Sequence, residues 1–80
     1  MALFKQSQRR YFARNIRREL KYLTNKCDYC LQEMYDMCHT NQAELKQIKQ
    51  GSAKVSLSRY QIIYEKLNMI YADERIRRAL

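Results

Sequence analysis

The stretch from Phe12 to Ile48 constrains the fold more than any other part of the chain. Phe12, Ile16, Leu20, Leu23, Cys27, Cys30, Met34, Met37, Leu45 and Ile48 share one face when placed at about 100° per residue. Steps of threes and fours mark an amphipathic helix that packs against another helix. Neither Gly nor Pro interrupts the run. As one helix of roughly 37 residues it would extend on the order of 55 Å, too long to be enclosed by a domain of 80 residues.

Two places inside the stretch resemble helix starts, Asn25 with Asp28 and Asn41 with Glu44, each shaped like a capping box. A break at either would give three helices. The apolar stripe keeps its phase through both, so the expectation is one unbroken helix over about 9–49, preceded by a frayed lead-in over 1–8. The clear turn is 50–56. Gly51 suits the left-handed residue after a helix, and Lys46 and Lys49 suit the helix dipole just before it. A second helix should then run over about 58–80, capped by Ser58 with Gln61. Leu, Lys, Arg, Gln, Glu, Met and Ala dominate, with no Pro and one Gly, so the chain reads as all-α. The expected fold is a single domain over 1–80: an antiparallel helical hairpin whose long first helix extends beyond the shorter second one.

On the second helix, Leu57, Tyr60, Ile63, Tyr64, Leu67, Ile70 and Tyr71 form a broad stripe for the first helix. Ile62, Met69 and Ile76, seven apart, join Leu80 on nearly the opposite side. A helix apolar on two sides is expected to meet two neighbours, and a hairpin supplies one. By counting from a turn near Ala53, Leu80 would lie opposite Cys27, leaving Phe12, Ile16, Leu20 and Leu23 as an uncovered apolar patch of a kind that soluble monomers seldom expose.

The net charge of +8 is uneven: residues 1–26 carry +7, residues 27–50 carry −2 and residues 51–80 carry +3. This balance points to an acidic partner, either nucleic acid, an anionic surface or an acidic protein face. Arg10, Arg14, Arg17 and Lys21 form a stripe at i, i+4, i+7 and i+11, and Arg18 lies among Phe4, Tyr11, Tyr22 and Tyr29 on another flank. Arginine in preference to lysine favours planar recognition of carboxylate or phosphate. Cations interleaved with aromatics also suit single-stranded nucleic acid.

Chemistry of other kinds finds little support. Cys27, Cys30, Cys38 and His39 offer zinc-type donors, but on a continuous helix Cys27 and Cys38 stand roughly 16 Å apart along the axis. The cysteines therefore read as small core residues, reduced, with no metal or other cofactor. No phosphate-binding Gly loop is present. Cys38 and the adjacent His39 point in different directions on a helix, so no nucleophile–base pair forms and the chain reads as non-enzymatic. Three cysteines, an odd number, do not suggest a secreted disulfide framework. A reducing, cytoplasmic compartment is expected. An Arg-rich, acid-free start over 1–18 matches a mitochondrial leader in composition only, and no apolar run approaches a membrane span.

The expected function is a small basic interaction module, an adaptor, inhibitor or assembly subunit. It would lay its N-terminal helix in an acidic-rimmed apolar groove of a larger protein, with Phe12, Ile16, Leu20 and Leu23 as anchors and Arg10, Arg14, Arg17, Arg18 and Lys21 at the rim. Ile62, Met69 and Ile76 would form a further contact surface, including self-association to a homo-oligomer. The alternative is a nucleic-acid-binding protein or ribonucleoprotein subunit using the same basic helix.

Overall fold

The computed structural model describes residues 2–79, with side chains from Phe4 onward. The described residues form four α-helices: α1 (Ala2–Lys26), α2 (Leu31–Met37), α3 (Gln42–Lys49) and α4 (Leu57–Ala79). The all-α expectation holds. The single helix over 9–49 does not: its stripe is divided among α1, α2 and α3, and the longest dimension of the fold is 43 Å, shorter than that helix would have been. Helix α1 also starts at Ala2 rather than near Arg9. Its first turns have tertiary work to do, since Gln6 Nε2 donates to Gly51 O (2.8 Å) and Arg9 Nε to Val55 O (3.1 Å).

Each break is made by a residue in the left-handed conformation, Asp28 (φ 63°), His39 (φ 54°) and Gly51 (φ 72°). At His39 and Gly51 the pattern is the Schellman motif. His39 N–H donates to Asp36 O and Thr40 N–H to Tyr35 O, while Gly51 N–H donates to Ile48 O and Ser52 N–H to Gln47 O. At Asp28 the loop is wider, with Tyr29 N–H reaching Leu23 O (3.2 Å). The following helices are capped. Glu33 accepts from Cys30 N–H at the head of α2 (2.9 Å), and Asn41 accepts from Glu44 N–H at the head of α3 (2.8 Å). Helix α4 is capped by Ser56, which accepts from Arg59 N–H (3.3 Å), two residues before the expected Ser58.

Contacts between α1 and α4 ascend together along both helices: Phe12 with Tyr64, Glu19 with Asn68, Tyr22 with Tyr71. The two long helices therefore run parallel, and α2 and α3 are the return path between them. This corrects the expected overhang. Ile16, Leu20 and Leu23 are core residues, 0–5% exposed, packed with Tyr60, Ile63 and Leu67 of α4, and Phe12 is half-buried against Tyr64. The same core takes in Met34, Cys38, Leu45 and Ile48 from the return path. Burying each large apolar side chain is worth about 1.5–3 kcal/mol, against roughly 1–2 kcal/mol for each non-glycine left-handed residue. Folding back at two such residues to cover four side chains is the favourable trade.

Arg59 fastens the return path to α4. Its guanidinium donates to the two Glu44 carboxylate oxygens from Nε and Nη2 (2.9 and 2.7 Å), and Nη2 donates also to His39 O (3.0 Å). This pairing keeps the Glu44 carboxyl below its usual range and Arg59 above its own. At the far end Tyr29 Oη donates to the buried Glu74 (2.8 Å), which also meets Arg77 and Arg78.

Glu19 is the exception to good pairing. It is fully buried between α1 and α4, with Asn68 Nδ2 at 3.4 Å from Oε1, while Oε2 has no hydrogen-bond partner. Burial raises its pKa above 4.5, with Asn68 and Arg18 only partly opposing. The folded state thus prefers the protonated acid, and stability should fall as pH rises from about 4.5 through the raised value. Glu19→Gln is expected to flatten that slope and to add about 1 kcal/mol at neutral pH, read from urea denaturation at pH 5 and pH 8.

The left-handed residues give a second expectation. A Cβ at Gly51 would meet only Arg10 Cγ, at 3.9 Å, so Gly51→Ala should cost about 1 kcal/mol through backbone conformation alone. His39→Gly should gain roughly 0.5–1 kcal/mol for the same reason. Urea midpoints at unchanged slope measure both.

Candidate polyanion-binding groove

The folding back of α3 onto α1 creates a surface that a continuous helix could not have. Along one edge of α1 stand Arg10, Arg14, Arg17 and Lys21, all exposed; across from them Lys46 and Lys49 project from the last turns of α3. Three adjoining clefts of about 410, 380 and 250 Å³ connect them. Arg17 lines two of these clefts, as do Lys49, Leu31 and Gln50. Together they form one trough with six cations on its walls and no Asp or Glu among the lining residues. The two larger clefts fall within the roughly 300–1,000 Å³ of small-molecule sites.

The cations differ in how free they are. Arg17 Nη1 donates to Lys49 O at 2.6 Å, satisfying a carbonyl at the negative end of α3 and tying the two walls together. Arg10 carries its stem across Gly51. Among the described residues, Arg10, Arg14, Lys21, Lys46 and Lys49 enter no ion pair, so their charge is available to a ligand. The floor is less polar. Leu31, 46% exposed, and the half-buried Tyr35 line the widest cleft, and Tyr29 lines the next.

The structure separates the sequence-derived candidates. Arg10, Arg14, Arg17 and Lys21 are brought together at the trough. Arg18 is not; it points away beside Glu19 (4.0 Å). Phe12, Ile16, Leu20 and Leu23 line the interior rather than a docking face, while Ile62, Met69 and Ile76 are exposed on α4. Leu80 lies outside the described residues. Lys46, Lys49, Leu31 and Tyr35 were missed as site residues. In a continuous helix Lys46 would stand roughly 54 Å from Arg10, so only the breaks at Asp28 and His39 unite them. The Asn41–Glu44 capping signal was the available hint.

The cysteines are corrected in part. Cys38 is a core residue whose thiol pKa is raised by burial, Cys27 is half-buried, but Cys30 is exposed at the head of α2. Among the described residues no three His, Cys, Asp or Glu side chains gather as a metal set, and no helix is long and apolar enough to cross a membrane. Comparison with protein-family models, with characterised proteins and with solved structures gives no match, so the interpretation of the trough stands on its own residues.

Proposed function

We propose that the protein is a non-enzymatic nucleic-acid-binding module, and that the trough between α1 and α3 is where the phosphate backbone lies. The observation that carries this reading is six cations facing one open trough whose lining holds no acid. Neutralising phosphates with Lys and Arg releases counterions and supplies most sequence-independent affinity. Arginine contributes paired donors to phosphate oxygens. Tyr35 and Tyr29 on the floor offer faces on which unpaired bases stack. A role as adaptor or assembly subunit remains compatible, with the nucleic acid as one of the bound components.

Docking of α1 into an apolar groove of a larger protein receives less support, because its anchors Ile16, Leu20 and Leu23 are spent on the protein's own core. What α1 still presents is its cationic edge. Protein contact is better carried by the outer face of α4.

The test is binding of fluorescent single-stranded and duplex oligonucleotides across a salt series. Log affinity should fall linearly with log salt, by roughly 0.7–0.9 per phosphate neutralised. Arg10→Gln with Arg14→Gln and Lys46→Gln should lower the slope by about two to three; Arg75→Gln, remote from the trough, should leave it unchanged. Arg17 is left intact because it caps α3. Equal affinity and slope for the triple variant and the unaltered protein would remove the trough from consideration.

A further inference from the structure

We propose that α4 pairs with α4 of a second copy of this chain, antiparallel and centred on Met69. Ile62, Met69 and Ile76 stand 41%, 72% and 63% exposed, in one line seven residues apart. Heptad spacing of large apolar residues on an exposed helix fits a helical partner, and nothing within the described fold covers this line.

The arrangement of the line identifies the occupant. A two-fold axis through Met69 places residue 69+n of one copy opposite 69−n of the other, so that Ile62 meets Ile76 and Met69 meets Met69. An interface between identical copies must be self-complementary in this manner. The charges on one flank obey the same symmetry. Lys66 and Asp73 lie on one flank of the line, three residues before and four residues after the centre, so each faces its opposite in the partner. Arg75 is not part of this pairing, since its guanidinium lies over the Tyr71 ring (5.7 Å) and away from the line. Within the chain Lys66 and Glu65 enter no ion pair, and Asp73 has only a loose one with Arg77 (3.9 Å). Ala72 and Ala79, exposed beside the line, are small enough to let a second helix approach.

A parallel pairing would also match one pair across the line, Lys66 against Glu65. It would set two helix macrodipoles side by side in the same sense, which the antiparallel form avoids. The two arrangements respond differently to charge reversal. Lys66→Asp places a like charge opposite Asp73 in the antiparallel form, and adding Asp73→Lys restores attraction. In the parallel form Lys66→Asp is repulsive toward Glu65 and adding Asp73→Lys does not relieve it.

Sedimentation equilibrium on the full chain reads all of this. The unaltered protein should show a mass rising from one copy to two with concentration. Met69→Glu should remain one copy with undiminished helical circular dichroism. Lys66→Asp should weaken association severalfold, and Lys66→Asp with Asp73→Lys should recover it. Disulfide trapping offers a second readout: a mixture of Ile62→Cys and Ile76→Cys chains should cross-link in preference to either alone. A monomer at every concentration up to about 1 mM, a dimer unaffected by Met69→Glu, or a double charge reversal no stronger than Lys66→Asp alone would overturn the proposal.

Discussion

Everything in this fold follows from the need to cover the apolar stripe of α1. Phe12, Ile16, Leu20 and Leu23 project from a helix with no intrinsic partner, and their burial is worth more than the strain of any one turn. The chain reverses twice at residues that tolerate a left-handed backbone poorly. Asp28 and His39 both carry a Cβ, yet both adopt positive φ, since the loss is repaid by α4 lying parallel to α1 along the whole stripe. Asp and His are among the residue types enriched there, which lowers the penalty without removing it.

Polar contacts secure the turns once the core has formed. Arg59 grips Glu44 and the His39 carbonyl, and Arg17, Gln6 and Arg9 donate to the carbonyls of Lys49, Gly51 and Val55. Each of these donors reaches a backbone oxygen that the end of a helix or a turn would otherwise leave to water. Several cations of this basic chain are therefore structural, and five that enter no ion pair, Arg10, Arg14, Lys21, Lys46 and Lys49, line the α1–α3 trough. Of the eight carboxylates in this chain of +8, Glu19, Glu44 and Glu74 are used in packing contacts away from that trough, and none lines it. Glu19 is the weakest part of the arrangement, a carboxyl placed between the long helices with one oxygen unpartnered.

Much of the local structure was legible before any coordinates. Gly51 as the left-handed terminator of α3, and Tyr60, Ile63 and Leu67 as the buried stripe of α4, follow from short-range rules of capping and period; the capping signal of Asn41 with Glu44 was present too, but the unbroken apolar phase outweighed it. The exposed line of Ile62, Met69 and Ile76 was equally readable, since a helix can turn only one stripe toward one neighbour. Ser56 rather than Ser58 as the cap of α4 is a shift of the kind that boundaries commonly show.

What the sequence determined by itself was the helical class, the turn at 50–56, and which side chains seek burial, because these depend on residue type and on neighbours within one or two turns. Only the tertiary structure decided that the stripe from Phe12 to Ile48 is broken twice. An apolar phase is preserved equally by a straight helix and by a chain that folds back and buries the same residues from the other side. That choice rests on long-range burial, which outweighs two local penalties and is invisible in any window of the sequence. The direction of α4 relative to α1, and the meeting of Lys46 and Lys49 with Arg10 and Arg14, are set by the same choice.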